Sequence, residues 1–253
     1  MSKESEVFIE TAGVISFNAE HRRKLQHNIT QYDKKVVDGK LQYKDLELAK
    51  SRASSLKNKV IENLDKYLIE FEANFIKRGG KVIWAQDGEE AIKEIMLIMK
   101  KAKAKTIVKA KSMTTEEIHF NKAMEREGIE SLETDLGEYI VQLRDEPPYH
   151  IVTPAMHLSK EDVAKTFHEK QGTPENWMPP EIVAHVRALL RKKYTEAEVG
   201  VSGGNFLIAD VGAVAVTENE GNATLSMSYP KVHIAIVGIE KLIPSLTDLD
   251  LFW

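Results

Sequence analysis

Residues 217–222 read TENEGN and follow directly on the apolar run VGAVAV. A strand repeats its side-chain direction every second residue, so Glu218 and Glu220 would leave the same face roughly 6 to 7 Å apart. Two partly buried carboxylates that close repel each other and lose hydration. That raises at least one pKa and gives a proton donor, a nucleophile or a cation-binding pair. The competing reading ends the strand at Val216 and leaves both acids in a solvated turn built from Asn219, Gly221 and Asn222. Glu218 and Glu220 are the candidate catalytic residues, with Gly221 and Asn222 beside them as candidate ligand contacts.

Other loops carry compatible chemistry. KAKSMTTEE (109–117) offers Lys109 and Lys111, the hydroxyls of Ser112, Thr114 and Thr115, and a helix N-terminus. Together these could hold a carboxylate or phosphate, or the hydroxyls could serve only as helix caps. VSGGNF (201–206) supplies Ser202, Gly203, Gly204 and Asn205, where the backbone can approach a ligand or simply turn tightly. The chain contains neither GxxxxGK[ST] nor GxGxxG, so neither phosphate-loop pattern applies. Asp135 and Glu138 form either a further acidic element of the site or part of a loop. His157, just past an expected strand, is a candidate ligand contact, whereas His233 inside VHIAIVG reads as a hydrogen-bonded core imidazole. No histidine stands at metal-ligand spacing and HExxH is absent, so no metal site is expected.

These loops need a scaffold that gathers them. From Leu46 to Phe75 the apolar positions step by three or four, which predicts one amphipathic helix stopped by RGG at 78–80. An earlier helix is expected over 18–37, with the DGK of 38–40 as the turn between the two. From Lys81 the pattern alternates. KVIWA, KTIVKA, IESLE, EYIVQL (138–143), HIVTP (150–154), VGVSG, VGAVAV, TLSMS and VHIAIVG read as strands. DGEEAIKEIMLIMKKA, TTEEIHFNKAMEREG with capping-box spacing at Thr114 and Glu117, SKEDVAKTFHEK capped by Ser159, and 180–194 read as helices, and KLIPSL as a helix start. The fold class is therefore α/β, a mostly parallel sheet with flanking helices, preceded by an N-terminal helical segment over 1–80; the α/β domain takes 81–253. In such sheets ligands bind past the carboxyl ends of the strands, where the loops above fall.

Composition narrows the functions. Of 253 residues 42% are hydrophobic and 29% charged, ordinary for a folded domain. A net charge of −4 leaves no positive excess for a phosphate backbone, so nucleic acid is not an expected partner. The N-terminus lacks a signal-peptide pattern and the apolar runs are too short to span a bilayer, which reads as cytoplasmic. With no cysteine, disulfides, thiolate metal sites and a cysteine nucleophile are excluded, and no cofactor is expected within this chain. The apolar ending TDLDLFW suggests a cut inside a longer protein.

Taken in order, KAKSMTTEEIHFNKAMEREGIESLETDLGEYIVQL, PPYHIVTPAMHLSKEDVAKTFHEK and VGVSGGNFLIADVGAVAVTENEGNATLSMSYPKVHIAIVGIEKLIPSL closely resemble the LUD domain. The particular likeness is to the N-terminal part of lactate utilization B-type proteins, and it runs from about Lys81 to Pro244. The resemblance implies a fold similar to the NagB/RpiA/CoA-transferase superfamily. It also implies a bacterial, three-protein system that oxidises L-lactate to pyruvate, with the B component passing electrons through iron–sulfur clusters. Those clusters belong to a cysteine-rich, ferredoxin-like region of the full-length protein that is absent here. By the same resemblance other lactate-utilization proteins are the expected partners, and the ligand is a small carboxylate or a partner's cofactor. TENEGN falls on a motif of that family, which favours a site role for Glu218 and Glu220. Related CoA transferases use a glutamate followed by Asn and Gly as an acyl-accepting nucleophile, so acyl transfer by Glu218 or Glu220 is an alternative. A non-catalytic scaffold is another.

Overall fold

In the computed structural model, which describes residues 3–149 and 153–253, the chain divides into two compact units. One comprises Met1–Lys44 and Gly137–His185, the other Asp45–Leu136 and Val186–Trp253. The strands are β1 (Thr106–Lys109), β2 (Glu130–Glu133), β3 (Val199–Ser202), β4 (Phe206–Ile208), β5 (Ala213–Ala215), β6 (Val232–Ala235) and β7 (Leu242–Ile243), all in the second unit. The helices of the first eighty residues are α1 (Lys3–Ser16), α2 (Ala19–Lys40), α3 (Leu46–Glu62) and α4 (Leu64–Lys77). After them come α5 (Gly88–Ala102), α6 (Met113–Glu117), α7 (Phe120–Arg126), α8 (Leu136–Leu143), α9 (Lys160–Gln171), α10 (Pro179–Glu196) and α11 (Asn222–Ser228).

The main sheet has the order β2-β1-β3-β6 with every pair parallel. Its inner strands β1 and β3 are almost wholly buried because both faces are covered. Val199 and Val201 of β3, with Ile107 of β1, face Ile95 and Met99 of α5 and Phe120 and Met124 of α7. Burying each of these large side chains contributes about 1.5–3 kcal/mol. Alternation turns Gly200 to the opposite face. There the Ser226 carbonyl of α11 occupies the space a Cβ would need, so glycine lets that helix reach the strand backbone. A smaller sheet, β5-β4-β7, pairs β4 with β5 antiparallel and with β7 parallel. Val60, Tyr67 and Phe71 of α3 and α4 cover it, against Leu207 and Leu242.

In the first unit, α2 is tied to the segment that ends in α9. Lys24 Nζ lies 2.7 Å from Asp162 Oδ2, and Asn28 Nδ2 donates to the Met156 carbonyl at 2.8 Å. Ser159 caps α9 in a capping box with Asp162, as the sequence predicts.

Several elements differ from expectation. The long helix over 46–75 is two, because Asn63 leaves the helical region at φ −131° and turns its amide onto the Lys59 carbonyl. DGK continues α2 through Lys40 rather than turning. KVIWA joins no ladder, and its Ile83 and Trp84 are exposed. EYIVQL is helical within α8, and TLSMS is helical within α11. The helix over TTEEIHFNKAMEREG breaks at His119, whose φ is +53°, and its cap is Ser112 rather than Thr114. KLIPSL forms β7 and then a 3-10 turn, while FLI, not expected as a strand, is β4. Thr153 and Pro154 are not strand, and the rest of the expected 150–154 strand, with His150, lies outside the described residues.

Candidate functional site

The carboxyl ends of β1, β2 and β3 hold a polar network on each face of the sheet. Register places Lys109 opposite Glu133, and both are out of water, at 1% and 4% exposure. Lys109 Nζ donates to Glu133 Oε1 and to Thr115 Oγ1, each at 2.9 Å. Asn121 Nδ2 donates to the same Glu133 oxygen at 2.8 Å, and its Oδ1 accepts from Ser131 Oγ at 2.8 Å. The Thr115 hydroxyl donates to the Ser112 carbonyl at 2.6 Å, and Ser112 Oγ accepts the Thr115 N–H at 3.4 Å. A buried ion pair loses much hydration and persists only with such support. Two donors stay uncommitted in the described bonds: the third N–H of Lys109 and the Ser112 O–H.

Gly203 approaches this corner closely. A Cβ there would lie 2.8 Å from Ser112 Oγ, and one on Gly204 2.6 Å from Val214 Cγ1. Neither glycine has a positive φ, so crowding rather than conformation demands glycine here. Among the described residues their N–H groups meet no backbone carbonyl. The Ser112 hydroxyl thus lies against the Gly203 backbone, one bond removed from the buried Lys109 ammonium through Thr115, and a hydroxyl with backbone amides is a donor set suited to an anion.

On the other face, Tyr194 of α10 is 6% exposed, close to the end of β2 and to α11, where Thr134 and Ser226 carry hydroxyls. Thr134 Oγ1 and Ser226 Oγ are 3.3 Å apart. Burial, and after it the charges of Glu218 and Asp135, hold the Tyr194 phenol above its ordinary pKa, against the pull of the two hydroxyls. Ser202, fully buried, places its Oγ 2.8 Å from His233 Nε2. His233 keeps an exposed edge, while its packed side loses hydration and its pKa falls below the ordinary value.

The remaining candidates have local roles. Glu218, half-buried, accepts the Thr224 N–H at 3.0 Å and binds the Thr224 hydroxyl with its other oxygen, so it caps the first turn of α11. Glu220 is exposed, and Gly221 turns the chain at φ +77°. Asn222 Oδ1 accepts the Ala223 N–H at 3.0 Å, and Asn205 Oδ1 accepts the Thr217 N–H at 2.7 Å. Lys111 is exposed and Thr114 half-buried, as is Asp135, whose charge reaches Tyr194. Glu138 and His157 belong to the other unit. Glu138 is buried in α8, and His157 Nε2 lies 2.9 Å from Glu146 Oε2. The Arg144 guanidinium, 2.7 Å from Glu146, together with His157 holds the Glu146 carboxyl below its ordinary pKa against the opposing effect of burial. Sequence reasoning missed Glu133, Asn121, Thr134, Tyr194 and Ser226. Only Glu133 carried a signal, as the second of two polar residues on one face of IESLE.

Among the described residues no cluster of three His, Cys, Asp or Glu could hold a metal ion, and no helix is long and apolar enough to cross a membrane. Lactate utilization protein B of Bacillus licheniformis is 46% identical over 202 residues, which is 79% of this chain and 42% of that protein. The Bacillus subtilis protein of the same name is 45% identical over the same shares, and that of Bacillus cereus 46% over 195 residues, 77% and 41%. The chain spans about two-fifths of the length of these curated relatives. No solved structure matches it. The family model for the LUD domain matches residues 68–253, a stretch that takes in both sheets and both strand-end networks, and the chain belongs to the LUD domain family.

Proposed function

We propose that this chain serves lactate utilization by holding a small carboxylate, or the anionic part of a partner's cofactor, at the carboxyl ends of β1 to β3. The system would be a bacterial one that oxidises L-lactate to pyruvate, with other lactate-utilization proteins as partners. Relatives named lactate utilization protein B support the setting. The observation that carries the ligand class is the uncommitted Ser112 hydroxyl against Gly203, beside the buried Lys109–Glu133 pair. Glu133 neutralises Lys109, so affinity rests on the uncommitted donors around Ser112. A hydrogen bond to a charged group contributes about 1.5–3 kcal/mol. The chain has no cysteine and so cannot ligate an iron–sulfur cluster through thiolates; in this reading electron transfer is the task of sequence outside it.

Calorimetry and thermal shift with pyruvate and with L-lactate test the reading. At least one is expected to bind, and Ser112→Ala to weaken it by about tenfold or more, the loss of one such bond. No heat and no shift with either ligand, or an unchanged affinity in S112A, would sink it. The acyl-transfer alternative draws less support, because Glu218 gives both oxygens to Thr224 and Glu220 stands in solvent. Hydroxylamine is expected to trap no acyl-enzyme from acyl-CoA, and an adduct lost in Glu218→Gln would reverse the preference.

A further inference from the structure

We propose that KVIWA (81–85) is an open strand that pairs antiparallel with the same segment of a second copy of this chain, closing a two-fold dimer along that edge. The inference is independent of the carboxylate-binding reading above.

The residues of this run favour a strand, and the chain supplies no strand for them to join. Among the described residues, no backbone N–H or C=O of 81–85 takes part in a hydrogen bond. Val82 packs on the cluster that contains Tyr67 and Phe71 of α4, and the Trp84 Nε1–H donates to Glu72 Oε2 of the same helix at 3.1 Å. Side chains two residues apart thus reach one helix, as an extended chain arranges them, and Ile83 between them turns away. It is 48% exposed. The segment is fastened through its alternate side chains while its backbone and its outer side chain stay unpaired, which is how an edge strand recruits another.

Charge and register identify the occupant. Lys77, Arg78 and Lys81 lead into the apolar centre of the run, and Asp87, Glu89 and Glu90 follow it, all of them exposed. Two copies related by a two-fold axis at Ile83 run antiparallel, so the basic flank of each meets the acidic flank of the other. A parallel copy would set like charge against like, which destabilises a strand pair. The same two-fold register places Val82 opposite Trp84 of the second copy, a favourable pairing of a β-branched residue with an aromatic one, and Ile83 opposite its own counterpart. A ladder of this length covers only part of the roughly 1,200–2,000 Å² that a stable dimer buries. Ile69 and Ile76 of α4, exposed at 68% and 52%, flank Glu72 at helical spacing and extend the apolar surface beside Trp84. Because the pairing is isologous, it uses the open edge of both copies and stops at two.

Sedimentation velocity of the full chain over a concentration series tests this, with hydrogen exchange measured at both ends of the series. The wild type is expected to pass reversibly from monomer to dimer, and the amides of 81–85 to exchange about tenfold more slowly in the dimer. Ile83→Lys sets two ammonium groups against each other at the axis and should weaken the dimer about tenfold or more. Since Ile83 faces solvent, the melting temperature of the dilute protein should not change. Ile83→Glu should weaken the dimer in the same way, and mixing the two variants should restore it as a hybrid, because only this register brings position 83 onto itself. A chain that stays monomeric up to millimolar concentration would overturn the proposal. So would a dimer whose 81–85 amides remain unprotected, a dimer indifferent to I83K, or a mixture of I83K and I83E that associates no better than either alone.

Discussion

Lys109 and Glu133 reach the same face of the sheet because each ends its strand and each sits two residues past an inward neighbour, Ile107 and Ser131. Neither has solvent to share its charge, so each makes the other tolerable. Removing one partner of a buried pair costs more than removing both, because the orphaned charge keeps the desolvation penalty. Lys109→Met is expected to lower the unfolding free energy by about 3–5 kcal/mol, and Glu133→Gln by a comparable amount. The double variant should lose far less than the sum, and urea denaturation measures all three. Strictly additive losses would mean that the pair is not coupled. The lysine was legible in the sequence, since it lies at a strand end before a run of hydroxyls. Its partner was not, because a glutamate closing IESLE looks like the solvated end of a strand until the neighbouring strand is known.

At the scale of elements, errors of reading have physical causes. EYIVQL is rich in β-branched and aromatic residues, yet Glu138, Tyr139, Ile140 and Val141 are all buried, so its helix shows no polar stripe to betray a 3.6 period. In TLSMS the alternation of Leu225 and Met227 mimics a strand, while the face α11 buries is made of Ala223 and Ser226. The sites that tolerate such small residues are set by Gly200 on another element, which local pattern cannot see. Capping is more local and was read correctly at Ser159. There burial opposes ionisation of Asp162, but the Lys24 ammonium and the Ser159 backbone and hydroxyl outweigh it and hold the carboxyl well below its ordinary 3.8. A folded-state pKa below the unfolded one means that the unfolded chain binds more protons in the window between them. The stabilisation is complete above about pH 4 and drains away as pH falls below that value toward the folded-state pKa. Asp162→Asn should flatten this acid limb of the melting temperature and free the 19–40 helix, which Lys24 anchors there, to faster exchange. An acid limb identical to wild type would show that the pair does not couple α2 to α9.

The whole chain belongs to the LUD family but spans about two-fifths of relatives whose name concerns lactate. Cluster-borne electron transfer demands soft ligands, and thiolate is the usual one. Here cysteine is absent, and no trio of His, Asp or Glu among the described residues gathers to replace it. On the proposed reading binding belongs to this chain and cluster-borne electron transfer to other sequence, so the chain can be tested for the first without the second. After anaerobic incubation with ferrous iron and sulfide, then desalting, the purified chain is expected to retain no acid-labile sulfide and no visible absorption. It should pass no electrons from L-lactate to a dye acceptor, while pyruvate or L-lactate still raises its melting temperature. A stably bound cluster would place the redox chemistry on this chain's own oxygen and nitrogen ligands and remove the division. Dye reduction without any cluster would show that the strand-end site performs the oxidation itself, with Ser112, Gly203 and Gly204 holding the carboxylate of the reacting molecule rather than of a passive ligand.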